Sequence, residues 1–482
     1  MSNKVLSLIL LLICVAIFVT EPQLYGFDIK GHLGWVPSHT ASQIIKASFD
    51  NWFVGYAFKT VESVTDYSYF DRYPFLFAGV TKLILSPFES NLSLWVLYSK
   101  YWMNLIFVSS ILCCYRISGY FLSDRWLRLS SVLLSLSGFY FMNYKSMIHF
   151  DQPAILGTMI LVESIFYFEK TRNKNPLIWS SLLTPLMGRG YVNLFVLSLY
   201  LVLKLVLSKG HDFKNLLRLA FLTIVPATLL CSSFLAYNIY IESEIRNVPI
   251  DQVSIVMSAK SRLGLDKFVV AQTEAQVSWT PFILDQGKRL LYHLTPYRIG
   301  KKLTLYFSII LFSLLLWKFR KLRKIVNDQS LLFGLLLVLS GFVWIFPMKR
   351  LAAFHDYTTM YYWGLSLFIY MALLKDLKFK KTVLVLSVSL FITSLIRDNS
   401  IRSSDKDKIN MLAAEFEKIR SHYTPGKVVY VPQGIKKALP GRPYILGFYF
   451  YDSSLTTDPS KGDYKFEVLP DGQLSLIKLK SF

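Results

Sequence analysis

Apolar runs near the length of a bilayer crossing recur along this chain, and they limit its fold more than any other feature. They fall at 5–20, 94–114, 129–142, 153–168, 177–187, 192–207, 219–237, 303–317, 331–346, 360–374 and 383–395. A helix crossing the hydrocarbon core needs about 20 apolar residues. Several of these runs are short, but together they predict an α-helical polytopic membrane protein with about eleven transmembrane helices. Composition agrees: 53% of the 482 residues are hydrophobic and 16% aromatic, and the mean hydropathy is +0.40. That excess of apolar residues is too large for an ordinary soluble domain.

The net charge of +22 is informative through its distribution. A nucleic-acid binder would gather Lys and Arg into one stripe on a folded domain, whereas here they form short clusters between apolar runs. With a cytoplasmic N-terminus, the connections 116–128, 170–174, 209–218, 318–324 and 375–381 all face the cytoplasm, and all five are basic. This is the positive-inside pattern. A further span at 75–86 would turn all five outward, so that segment, between Pro74 and Pro87, is expected at the membrane interface. Cys14, Cys113, Cys114 and Cys231 lie in apolar runs and suggest neither a disulfide framework nor a zinc site. Thr20-Glu21-Pro22 offers no small-x-small cleavage site, so the first run reads as a retained signal anchor.

The outer side then receives the first loop, 21–93, the turn at 143–151, the Gly188-Arg189-Gly190-Tyr191 turn, the loop 241–302, the turn at 349–357 and the C-terminal segment. Residues 1–397 form the multi-span domain, and 398–482 are expected to form a small soluble extracytoplasmic α/β domain. In it, 405–423 reads as an amphipathic helix, 427–431 and 444–451 as strands, and 464–479 as a hairpin turning at Pro470-Asp471-Gly472. The final Lys478-Leu479-Lys480-Ser481-Phe482 resembles a dilysine retrieval signal, but this topology puts it on the side such receptors do not read. A bacterial inner membrane, with the C-terminal domain periplasmic, is the expected location.

Chemistry-bearing residues concentrate on that outer face. Asp28 lies just past the first span, with His32, Trp35 and His39 after it; alone it would be a solvated loop acid. Asp151, in His149-Phe150-Asp151-Gln152-Pro153, reads as a helix N-cap as well as a site residue. Glu163 falls inside the fourth run without a legible partner. Arg72, Arg189 and Arg350 are either snorkelling anchors or phosphate clamps, since a forked guanidinium suits both. His355-Asp356-Tyr357 opens the tenth span ahead of an aromatic belt through Tyr361, Tyr362 and Trp363. His32, His149 and His355 share the outer face, but no ligand spacing supports a metal there.

Asp28, Asp71-Arg72-Tyr73-Pro74-Phe75-Leu76, Asp151-Gln152-Pro153 and His355-Asp356-Tyr357 occur in the order seen in GT-C glycosyltransferases. The chain most resembles the protein O-mannosyltransferase and aminoarabinose-transferase-like group. It differs in having Asp28-Ile29 where that group often has an acidic pair, and Pro74-Phe75 where it has two prolines. The resemblance implies that Asp28 is the catalytic carboxylate and that Asp151 lines the active site. It further implies that Arg72 contacts the donor phosphate, with Tyr357 near it and Arg262 as a second cation. The implied donor is a polyprenyl-phosphate sugar, and the acceptor a hydroxyl of a lipid, glycan or protein. No cofactor is required, because a lipid phosphate stabilised by cations is already a leaving group and one carboxylate suffices as base. Single displacement with inversion follows, since retention would call for a second carboxylate as nucleophile. A flippase for the same lipid-linked saccharide, which should show internal repeats, and a polysaccharide polymerase or ligase are the competing readings.

Overall fold

The computed structural model describes residues 3–28, 32–54, 73–208, 213–253, 255–257, 278–296, 313, 328–432, 443–469 and 473–479. Arg72, Arg262, the run 303–317 apart from residue 313, and the turn Pro470-Asp471-Gly472 lie outside them. Helices α1 (Asn3–Val19), α2 (His32–Lys46), α3 (Phe75–Leu85), α4 (Leu92–Ser118), α5 (Arg125–Leu136), α6 (Phe139–Tyr144) and α7 (Asp151–Thr171) build the first half. They are followed by α8 (Asn175–Leu183), α9 (Val192–Leu207), α10 (Phe213–Leu222), α11 (Ile224–Arg246) and α12 (Trp279–Leu294). Next come α13 (Asp328–Leu339), α14 (Phe342–Ile345), α15 (Lys349–Phe354), a 3-10 segment at Asp356–Tyr362, α16 (Trp363–Leu374) and α17 (Lys380–Ser403).

Each predicted run within the described residues is helical, but the helices are not all of crossing length. Among the described residues three stretches are long and apolar enough to cross a membrane: Leu92–Ser118, Phe213–Glu244 and Lys380–Ser403. Others are broken. The run 129–142 splits at Ser137-Gly138 into α5 and α6, where a side chain on Gly138 would lie 2.0 Å from the His293 carbonyl oxygen. That approach, reinforced by a β-bridge between Gly138 and Pro296, docks the end of α12 against the break. Helix α3 has 11 residues and is roughly 16 Å long, well short of the ~30 Å hydrocarbon core. Neither α2 nor α12 was expected, since both lie in segments read as outer loops.

The C-terminal segment comprises α18 (Lys406–Arg420), β1 (Val428–Tyr430), α19 (Pro443–Tyr449), β2 (Ser454–Thr456), β3 (Tyr464–Val468) and β4 (Leu474–Lys478). The sheet runs in the order β2-β1-β3-β4, with β1 parallel to both neighbours and β3–β4 antiparallel, as a hairpin requires. The strand expected at 444–451 is helix α19 instead. Leu446, Phe448, Tyr449 and Phe450 are all buried, so the run carries no alternation to separate strand from buried helix. Phe416 stacks on Tyr449 at 4.4 Å, and Phe448 lies 5.2 Å from Trp95 of α4. One hydrophobic core therefore takes in residues from both sides of position 398, which itself falls inside the continuous α17.

A buried charge network joins the two halves. Lys145, 1% exposed, places its Nζ 3.0 Å from Asp398 Oδ2, 2.9 Å from Asn399 Oδ1 and 3.5 Å from Glu21 Oε2. Arg402 Nη1 lies 2.9 Å from Glu21 Oε1 and donates to Ser146 Oγ at 2.6 Å. Asn104 Nδ2 donates to Glu21 Oε2. Burial by itself would push the Glu21 pKa up, yet Arg402 and Lys145 hold it down to about 2. Removing one partner of such a cluster strands a buried charge and costs about 3–5 kcal/mol. Lys145→Met should therefore lower the thermal unfolding midpoint of the detergent-purified protein sharply. Adding Asp398→Leu should recover part of that loss.

Candidate active site

Asp28 sits at the mouth of a narrow cleft lined by Phe27, Leu33, Pro37, Lys100, Ser146 and Arg402. Its carboxylate is 16% exposed and lies 4.0 Å from Arg402 Nε. The backbone leading into it is fixed from two sides. Lys100, buried in α4, donates from Nζ to the carbonyls of Leu24 (2.9 Å) and Gly26 (3.0 Å). From α18, Asn410 accepts from Tyr25 N through Oδ1 and donates to Gln23 O through Nδ2. Desolvation raises the Asp28 pKa above the ordinary carboxylate value, against the opposing pull of Arg402 and Lys100. A carboxylate held in place, partly open to solvent and with raised basicity is suited to take a proton.

Asp151 is the centre of a second, closed cluster. Its N–H belongs to the first turn of α7, and Phe150 occupies the N-cap position, so the capping role expected for its side chain is not the one it plays. The carboxylate is fully buried. Oδ1 accepts from Tyr361 OH at 2.8 Å and lies 3.0 Å from Arg189 Nη1, while Oδ2 lies 2.7 Å from His149 Nδ1. Arg189 Nη2 donates to Tyr73 OH at 2.9 Å. The Tyr73 ring stacks on Phe150 at 4.0 Å, and Asn238 Nδ2 donates to the Tyr73 carbonyl. Tyr357 packs its ring 4.8 Å from that of His149 and 5.2 Å from that of His355.

Segment 144–151 ties the two clusters together. Tyr144 OH donates to Asp356 Oδ1 at 2.7 Å, Lys145 and Ser146 join the charge network, and Met147 and Ile148 line the Asp28 cleft. His149 and Asp151 then meet Arg189. The Arg189 turn depends on Gly188, whose φ of +61° is left-handed and whose Cβ would lie 2.1 Å from Phe150 O. Arg189 N donates to that same carbonyl at 3.0 Å.

Of the residues singled out in the sequence, Asp151, Arg189, His149 and Tyr357 converge, with His355 against Tyr357, and Asp28 lies in the adjoining cleft. His39 is buried in α2. His32 opens α2 and Arg350 lies on α15, but their side chains, like all of Arg72 and Arg262, are outside the described positions. Among the described residues no three His, Cys, Asp or Glu side chains gather as a metal site. Glu163 finds its partner in Arg116, whose Nη2 lies 2.8 Å from Oε1. Sequence reading missed Glu21, Lys100, Lys145, Asp398 and Arg402. Lys100 carried a usable signal, because a lysine inside an apolar run is costly unless something receives it. Gly188→Ala should displace the Arg189 turn. The left-handed position costs about 1–3 kcal/mol in stability and the clash with the Phe150 carbonyl adds to it, read as a lowered melting temperature, whereas Gly426→Ala, at φ +81° in open space, should show only the first cost.

No family model matches the chain, and no curated protein matches it. Solved structures do. The oligosaccharyltransferase of Archaeoglobus fulgidus, tethered to an acceptor peptide containing the NVT sequon, superposes with a TM-score of 0.52 at 11% identity, over 96% of this chain and 65% of that one. Its apo form gives 0.50 at 11% identity over 94% and 65%. The archaeal oligosaccharyltransferase AglB from the same organism, in complex with an inhibitory peptide and a dolichol-phosphate, gives 0.51 at 10% identity over 94% and 64%. The chain thus spans slightly less than two thirds of these proteins' length. At this identity the likeness establishes a shared fold, that of a polytopic membrane protein.

Proposed function

We propose that this chain is a membrane glycosyltransferase. It moves a sugar from a polyprenyl-phosphate-linked donor to a hydroxyl acceptor on the extracytoplasmic face, with inversion. The observation that carries the reading is the Asp28 cleft: one partly exposed carboxylate with a raised pKa beside two cations, in a fold shared with a transferase solved with a dolichol-phosphate. The resemblance in Asp28, Arg72, Asp151 and Tyr357 supports it independently.

In the proposed step the acceptor O–H gives its proton to Asp28 while the acceptor oxygen bonds to the anomeric carbon. The bond from that carbon to the phosphate oxygen breaks, and the lipid phosphate leaves with the electron pair. Arg72, Arg262 and Arg350 stabilise the departing phosphate by charge-assisted hydrogen bonds. Tyr357 faces the same phosphate. Arg189, engaged by Asp151 and Tyr73, positions this wall, and Asp151 is a positioning residue in turn. The acceptor is a lipid, glycan or protein hydroxyl, and a peptide belongs among those tested.

The experiment is transfer from radiolabelled polyprenyl-phosphate sugars by wild type and Asp28→Asn, with a membrane extract as acceptor. Loss of a general base typically lowers the rate about 10²–10⁴-fold, and donor binding should persist. Passage of lipid-linked saccharide across proteoliposomes with no transfer from any donor would instead establish a transporter. Because Asp28 holds its proton to higher pH than an ordinary carboxyl, near 3.9, the wild-type rate should rise with pH on an acid limb displaced above that value. A limb at the ordinary carboxylate position would remove Asp28 as the base.

A further inference from the structure

A second polar site lies at the other end of α7. That helix has 21 residues, so its C-terminus is about 30 Å from Asp151, on the opposite side of the bundle from the Asp28 cleft. There a cavity of about 450 Å³ is lined by Glu169, Lys170, Arg172, Lys204, Leu207 and Leu332, with hydroxyl and amide groups from Ser208 and Gln329.

Glu169 organises its wall. The carboxylate, 2% exposed, accepts from Tyr200 OH at 2.6 Å, from Lys204 Nζ at 2.8 Å and from Arg172 Nη1 at 3.1 Å. It is the sole acid among the lining residues, against three cations, so the cavity keeps an excess of positive charge. Lys170 extends over the Tyr120 ring at 5.8 Å. Arg172 has a φ of +63° at the C-cap of α7, a left-handed position where Gly or Asn is the usual occupant. The chain places an arginine there, and its guanidinium reaches the cavity. Leu207 and Leu332 add an apolar side, which a free anion has no use for but a lipid glycerol does.

We propose that this cavity binds the phosphate headgroup of an anionic phospholipid from the cytoplasmic leaflet. The cations engage the phosphate, Glu169 holds Lys204 and Arg172 in position, and the two leucines meet the glycerol region. The chemistry shared with free phosphate is the anion itself, and the apolar wall selects the lipid.

The test is native mass spectrometry of the full chain released from anionic-lipid nanodiscs, wild type against a Lys170→Gln, Arg172→Asn double variant. Both substituted side chains are exposed, Asn suits the left-handed backbone, and Tyr200 and Lys204 remain on Glu169, so folding should persist. Wild type should retain one anionic phospholipid, and the variant should lose it about tenfold or more. Lys204→Gln, read the same way, is the second variant. Equal retention by wild type and both variants would overturn the proposal. Displacement of the lipid by millimolar inorganic phosphate, with phosphate bound by wild type in neutral-lipid discs, would overturn the lipid assignment in favour of a small phosphate.

Discussion

Lys145, enclosed by Glu21, Asp398 and Asn399, is the interaction on which the rest of the molecule depends. Its partners come from the residues after α1 and from α17, and Lys145 itself lies in the segment leading to α7, so one ammonium joins three distant pieces of chain. In a low-dielectric interior such charges persist only as a complete set. The set is completed by Arg402 and Asn104. Arg402 also reaches Asp28 and Ser146, which carries the constraint from the structural network to the cleft.

The two carboxylates of the candidate site thereby take different parts. Asp151 is enclosed by His149, Arg189 and Tyr361, and its oxygens are held by these neighbours. Asp28 has a cation at 4.0 Å and a partly open face. Environment, not residue type, separates the enclosed acid from the one with an open face. The lysine of α4 and the asparagine of α18 that pin the backbone before Asp28 hold the proposed base without occupying its oxygens.

The same economy appears at the far end of α7, where Glu169 is surrounded by donors and orients the cations of a second cavity. Both ends of that helix thus use a buried carboxylate to fix arginine geometry, Arg189 at one end and Arg172 at the other. One faces the proposed transfer site, the other the proposed lipid site.

Much of this was legible from the chain alone. Apolar run length located the helices, because crossing a bilayer leaves the backbone no other way to satisfy its polar groups. Asp28, Asp151, Arg189, His149 and Tyr357 were visible as polar residues at the ends of those runs. The strand expected at 444–451 failed because a segment buried on every side has no period to read, and α2 and α12 were hidden in loops whose composition is mixed. What the sequence by itself determined was a helical membrane protein with polar and charged residues gathered at the ends of its apolar runs. Only the tertiary structure decided which charges meet: Lys145 with Glu21 and Asp398, Lys100 with the backbone before Asp28, Arg189 with Asp151. These pairings join residues up to 253 positions apart, and their energy comes from shared burial, which no local pattern encodes.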